Sequence, residues 1–206
     1  VIVVTGAGRA FCAGYDLKDY AEAPGSNPGV QEMPWDPTID MRFMGRNTAD
    51  FMSLWHAVKP TIAKVRGFAV AGGSDIALAC DLAVAAHDCR FGAPEVLYGS
   101  GVVTLLLPYF CGPKRAKEIL LTGADRISTK QALDWGLVNR AVQEKNLVKR
   151  ARELALDIAR NDRLAVQIAK QSINASMEIG SMRDALKHAL DLGMVLETTA
   201  TPASRE

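Results

Sequence analysis

The chain has no excess of charge of either sign. Its 24 basic and 23 acidic residues leave a net charge of +1, and the Lys and Arg residues are scattered. That balance speaks against a nucleic-acid footprint and against a solvated acidic tail. Aromatic residues make up 6%, too few and too dispersed for a base-stacking platform. The four cysteines, Cys12, Cys80, Cys89 and Cys111, form no CxxC pair. No His stands at ligand spacing from them, so neither a disulfide framework nor a structural metal is expected. No apolar run reaches the length of about 20 residues that spans a bilayer. No signal-peptide pattern opens the chain, and the expected location is cytoplasmic. Val1 lies inside an apolar run, so an upstream segment is expected.

What is present is enough apolar sequence, 49% of 206 residues, for a packed domain. VIVVTGAG (1–8) reads as a buried strand and a tight turn. Its glycines begin a dinucleotide fingerprint but do not complete it, because position 11 is Phe11. RAFCAGYDLKDY (9–20) reads as a small-residue loop in which Gly14 allows an unusual backbone angle. Residues 21–40 hold four prolines and no period, the pattern of a long loop or insertion. Over 41–58, Met44, Phe51, Leu54, Trp55 and Val58 recur at helical spacing up to Lys59-Pro60. PTIAKVRGFAVAGG (60–73) predicts two short strands bent at Gly67. SDIALACDLAVAA (74–86) predicts a buried helix that passes into a strand at Asp81. CRFGAPE (89–95) predicts one more strand and a turn. Alternation of strands and helices implies an α/β core.

The remainder reads as helical. Residues 113–123 begin on Pro113 and end on Gly123. Residues 128–136 run from an N-cap at Ser128 to Gly136, and 137–142 form a strand. Amphipathic helices follow at about 144–160, 162–178 and 181–199. Their apolar faces include Leu147, Ala151, Leu154 and Ile158, then Leu164, Ile168 and Ile173.

The densest chemistry lies in GFAVAGGSDIALACDLAVAAHDCRFGAPE (67–95). Gly72 and Gly73 open an apolar helix, Asp75 sits just inside it, and Glu95 follows Pro94. Unpaired N–H groups at a helix start and two carboxylates can stabilise an oxyanion and move protons. Each feature also has a plainer reading. The diglycine can serve close packing, Asp75 can answer the helix dipole, and Glu95 can be a surface turn residue. Asp81 suits a backbone cap better than chemistry. His56, His87 and His188 stand alone, and Met33, Trp35 and Trp55 suit packing.

GAGRAFCAGYDLK (6–18), KPTIAKVRGFAVAGGSDIALACDLAVA (59–85), FGAPEV (91–96) and LLTGADRISTKQALDWGLVNRAV (120–142) together resemble the enoyl-CoA hydratase/isomerase, or crotonase, family. The resemblance implies a crotonase-like spiral of ββα turns over 1–142, with its N-terminal part upstream, and a helical C-terminal region over 143–206. It implies homotrimers that pair into hexamers. It implies an acyl-CoA thioester substrate, with coenzyme A as part of that substrate and no further cofactor or metal. The thioester oxygen would lie on the N–H groups of Gly72 and Tyr15, each worth about 3 kcal/mol to an enolate-like oxyanion. Ala13, Tyr15, Leu17 and Gly72 would bind CoA. Glu95 would be the principal acid/base and Asp75 its partner, in addition of water to a 2,3 double bond.

Family hydratases usually carry Glu at the first acidic position. Asp75 is one methylene shorter, which withdraws the carboxylate by about 1.5 Å. Members that shift double bonds in dienoyl-CoA add a further acid soon after the second, but residues 96–117 contain none. YGSGVVTLLLPYF (98–110), where the family lines its acyl pocket, is short and apolar. An enoyl-CoA isomerase relying on Glu95, and a CoA-ester-binding subunit without turnover, are the alternative readings.

Overall fold

The computed structural model describes residues 1–18, 34, 36–101 and 104–199. The proline-rich stretch 21–33, with Met33, and Trp35 lie outside the described residues.

Two sheets share one repeating step. β1 (Ile2–Thr5), β2 (Thr61–Val65), β4 (Leu82–Ala86) and β7 (Arg140–Val142) form a parallel sheet in the order β1-β2-β4-β7. β3 (Phe68–Val70), β5 (Arg90–Gly92) and β6 (Ile127–Ser128) form a second sheet in that order, with β6 antiparallel to β5. β2 crosses from one sheet to the other as β3, and β4 crosses as β5. The chain after β1 repeats the crossing, since Cys12 bridges Ala69 of β3 in parallel. Gly67 makes the sharp bend between β2 and β3 with φ 60°, and a Cβ there would lie 2.5 Å from Arg9 O. Only glycine meets both demands. This is the ββα spiral expected from the sequence.

Helices fill the crossings. α1 (Pro37–Trp55) precedes β2, α2 (Gly72–Ala79) joins β3 to β4, α3 (Leu107–Thr122) joins β5 to β6, and α4 (Thr129–Asp134) joins β6 to β7. α1 starts earlier than the periodicity over 41–58 suggests. Asp36 caps it by accepting Thr38 N–H at 2.9 Å, and Pro37 occupies the first turn. α3 is two helical segments that meet at Gly112, whose φ 76° and ψ 163° break the helix, and the second runs from Pro113 to a cap at Gly123 as expected. Ser128 caps α4 as expected, and Gln131 reciprocates by accepting Ser128 N–H at 3.0 Å. Ser128→Ala should therefore cost about 1 kcal/mol of stability in urea denaturation.

β2 and β4 form the centre: Ile62, Ala63, Val65, Val84, Ala85 and Ala86 are fully buried. β1 is the outermost strand among the described residues. It lies at the sheet's open edge, with Ile2 and Val3 about 40% exposed. α5 (Leu147–Ala159) covers this sheet with Leu147 and Ala151.

α6 (Arg163–Glu178) docks differently from its predicted apolar face. Ile168 is buried, but Leu164 and Ile173 are exposed. A polar stripe at helical spacing does the docking instead. Lys170 Nζ lies 2.8 Å from Asp81 Oδ2 and donates to Leu54 O at 3.2 Å. Asn174 donates to Trp55 O at 3.0 Å, and Glu178 accepts Trp55 Nε1–H at 3.1 Å. Lys170 also answers the partial negative charge at the end of α1. Asp81 caps Thr61 N–H at 2.7 Å, as its sequence context suggests. α7 (Met182–Thr199) packs on α6. Among the described residues, no helix is long and apolar enough to cross a membrane.

Candidate functional site

The start of α2 is built under strain. Ala71, its N-cap, has φ 52° and ψ −131°, the one positive φ outside glycine among the described residues. Such a conformation costs on the order of 1–3 kcal/mol and persists only when its surroundings enforce it. Here Ala71 N–H donates to Gly92 O at 2.9 Å, while Ala71 O accepts from Ser74 N at 2.8 Å and Asp75 N at 3.3 Å. Ser74 Oγ lies 2.7 Å from Ala69 O and 2.9 Å from Gly92 O, which ties α2 to β3 and β5. The chain therefore enters the helix at a fixed angle, with Gly72 N–H in the first turn, where no preceding helical carbonyl can take it.

The diglycine has two separate reasons. A Cβ on Gly73 would lie 2.1 Å from Cys12 O, so Gly73 serves close backbone packing. A Cβ on Gly72 would lie 3.1 Å from Phe51 Cζ. Gly72 thus lets the Phe51 ring close over the helix start.

The segment Cys12–Tyr15 runs beside β3 into this corner. Val70 N–H donates to Cys12 O at 3.2 Å. Carrying the Cys12–Ala69 register forward three residues brings Tyr15 opposite Gly72. Gly14 makes the approach possible. Its φ is 94°, and a Cβ there would lie 2.9 Å from Ala71 Cβ and 3.7 Å from Gly72 N. Tyr15 is half-buried, and its hydroxyl accepts from Asn47 Nδ2 at 2.9 Å. Asn47 and Phe51 are one turn apart on α1, so one helix face touches Tyr15 and Gly72 together. Ala13 is exposed and Leu17 is 58% exposed, on the outer side of the same segment.

The two acids lie on the elements that follow, Asp75 in the first turn of α2 and Glu95 after β5. Asp75 is 4% exposed. Burial first, and the charge of Glu95 second, push its carboxyl up from 3.8 to about 7, against the pull of the Thr104 backbone N–H. Glu95 opens a 3-10 turn (Glu95–Tyr98) at the end of β5. It is half-buried, and burial raises its carboxyl above the ordinary range as well. Its Oε2 is buried without a hydrogen bond in the protein, so Glu95 is not a surface turn residue. Because the charge of Glu95 is one of the causes that raise Asp75, Glu95 gives up its proton before Asp75 does.

The structure sets Gly14, next to Tyr15, against Gly72, and places Asp75, on which the charge of Glu95 acts, in the first turn of the helix that Gly72 opens. Sequence reasoning missed Asn47, Phe51, Ser74 and Thr104. Phe51 had a signal, as part of the apolar face of α1, and Thr104 a faint one, as a lone hydroxyl in an apolar run. The four cysteines are free thiols, and burial pushes those of Cys80 and Cys89 up to about 11. Among the described residues, no three His, Cys, Asp or Glu side chains converge to hold a metal. An apolar cavity of about 340 Å³ between α6, Trp55 and Phe110 lies away from the two acids.

Comparison with known proteins gives this arrangement a context. Residues 1–206 match the profile described as enoyl-CoA hydratase/isomerase. Carnitinyl-CoA dehydratase of Proteus mirabilis is 38% identical over 184 residues, 87% of this chain and 65% of that protein. Short-chain-enoyl-CoA hydratase of Clostridium acetobutylicum is 36% identical over 86% of this chain and 64% of its own length. The chain thus spans slightly less than two thirds of these relatives. The solved enoyl-CoA hydratase/isomerase from Xanthobacter autotrophicus Py2 superposes with a TM-score of 0.77 at 36% identity, covering 98% of this chain and 72% of that one.

Proposed function

The chain belongs to the enoyl-CoA hydratase/isomerase family, and from that membership we propose that it adds water reversibly across the 2,3 double bond of an enoyl-CoA. The observation that carries the reading is the pair of carboxyls, Asp75 and Glu95, both raised by burial, with Asp75 in the first turn of the helix that Gly72 opens. The thioester oxygen accepts from both N–H groups. Glu95, as carboxylate, takes a proton from water, and the oxygen of that water bonds to C3. The π electrons move through C2 to the thioester oxygen, giving an enolate that the two N–H groups stabilise. Asp75, as carboxylic acid, then delivers its proton to C2 as the carbonyl re-forms. Water is consumed and nothing is oxidised, so this chemistry calls for no redox cofactor, and the two N–H groups do the polarising of the thioester carbonyl. Ala13 and Leu17 flank the entry and contact the CoA chain.

Two observations favour hydration over a double-bond shift. Asp75 stays buried beside Glu95 rather than turning out to solvent, and both acids are shifted in the direction that acid/base work requires. A panel of short, long, branched and aromatic 2-enoyl-CoAs, followed by mass spectrometry, tests the reading. The expected result is gain of one water on at least one substrate. Conversion of a 3-enoyl-CoA without mass gain, and no hydration anywhere in the panel, would make the chain an isomerase. Tight binding with no turnover would make it a non-catalytic subunit.

A further inference from the structure

One face of α1 reaches both segments that carry the proposed N–H donors. Asn47 Nδ2–H donates to the Tyr15 hydroxyl at 2.9 Å. Phe51, one turn on, lies against Gly72, where a Cβ would be 3.1 Å from Cζ and 3.6 Å from Cε1. The two segments also meet directly. That same Cβ would lie 3.9 Å from Gly14 Cα, and one on Gly14 would lie 3.7 Å from Gly72 N. Asn47 is half-buried there. Asparagine is a weaker helix former than leucine or methionine, and its amide is what those residues lack.

The corner has reason to be braced. Among the described residues, backbone hydrogen bonds pair the first segment with β3 as far as Val70 N–H, which donates to Cys12 O at 3.2 Å. Between that bond and the donors, Gly14 turns one segment at φ 94° and Ala71 turns the other at φ 52°. The strand pairing therefore does not by itself set the spacing of the Tyr15 and Gly72 N–H groups. α1 can set it, because its far end is fastened to α6. Lys170 donates to Leu54 O at 3.2 Å, Asn174 donates to Trp55 O at 3.0 Å, and Trp55 Nε1–H donates to Glu178 at 3.1 Å.

On the footing of the reading above, in which the Tyr15 and Gly72 N–H groups hold the thioester oxygen, we propose that Asn47 is a positioning residue for that pair of donors. Its amide holds the Tyr15 hydroxyl. A tyrosine side chain has only two rotatable bonds, so fixing its tip restrains the Cα to which the N–H is tied. Asn47 thus acts through Tyr15 and not on the reacting atoms. Alignment of the donors matters most for the enolate, whose oxygen carries more charge than the carbonyl of the bound substrate.

The test compares Asn47→Leu, which keeps the size and removes the amide, with Tyr15→Phe, which removes the hydroxyl and keeps the backbone N–H. Each should lower kcat for hydration about tenfold, less than the loss of a donor itself. KM should stay within about twofold of wild type. The double variant should be no slower than either single one, because both remove the same contact. A merely structural role would not move the bound carbonyl. In the Glu95→Gln background, which prevents turnover, the stretch of a carbonyl-¹³C-labelled 2-enoyl-CoA should shift toward its value in water when Asn47→Leu is added. Should Asn47→Leu fail to fold, Asn47→Ala and Tyr15→Phe carry the same comparison. Wild-type kcat in Asn47→Leu, losses that multiply in the double variant, or a lower melting temperature with an unmoved stretch overturn this inference alone. A stretch already at the water value in Glu95→Gln overturns the thioester reading, and this inference with it.

Discussion

Glu95→Gln should lower kcat for enoyl-CoA hydration by roughly 10³-fold, within the range for removing a positioned general base. Glutamine has the same shape and can occupy the same buried place, but it cannot accept a proton from water. KM should move little, because the proposed holds on the thioester oxygen and the CoA chain, backbone groups and the segment around Ala13 and Leu17, do not involve Glu95. The wild-type pH profile should be bell-shaped. Its acid limb belongs to Glu95, raised above the ordinary carboxylate range by burial. Its alkaline limb belongs to Asp75, which must keep its proton and does so up to a pH of about 7. Steady-state hydration rates across pH check both limbs. Retention of a tenth or more of wild-type kcat by Glu95→Gln would remove Glu95 from the chemistry.

Asp75→Asn should make the protein more stable and less active, with a gain in stability that depends on pH. Asp75 is buried, and its carboxyl is raised from 3.8 to about 7 in the folded state. Below about pH 4 it is protonated in both folded and unfolded chains, and its burial carries no ionisation penalty. Between about pH 4 and 7 the unfolded chain releases the proton while the folded chain keeps it, so stability falls as pH rises. Above about pH 7 the penalty is complete. A shift of about three units corresponds to roughly 4 kcal/mol at about 1.4 kcal/mol per unit. Asparagine carries no charge at any of these values and escapes the penalty. Urea denaturation should therefore show Asp75→Asn gaining roughly 2–4 kcal/mol over wild type at pH 8, and little at pH 4. A difference of the same size at both pH values would contradict the assigned burial and ionisation of Asp75. Stability traded for function in this way is common at active sites.

The parts of the site legible in the sequence are those written in local pattern. Gly72 and Gly73 announce a helix start because close approach admits no side chain there. Asp75 and Glu95 stand out as acids in an apolar setting. Tyr15 came only from the resemblance; what the local pattern announced is the unusual backbone of Gly14 before it, at φ 94°. What was not legible depends on contacts distant in sequence. Asn47 and Phe51 belong to the site only because α1 lies across the start of α2. α1 is in turn held by Lys170, Asn174 and Glu178, more than 100 residues away. Periodicity favours apolar faces, so it could not identify the polar stripe by which α6 docks. Thr104 offered one faint signal, a lone hydroxyl within an apolar run.

The central claim is that the N–H groups of Gly72 and Tyr15 hold the thioester carbonyl. Vibrational difference spectroscopy of a carbonyl-¹³C-labelled 2-enoyl-CoA bound to Glu95→Gln tests it without turnover. The carbonyl stretch should move below its frequency in water, because two fixed donors polarise the bond more than mobile solvent does. A stretch at or above the value in water would contradict the claim.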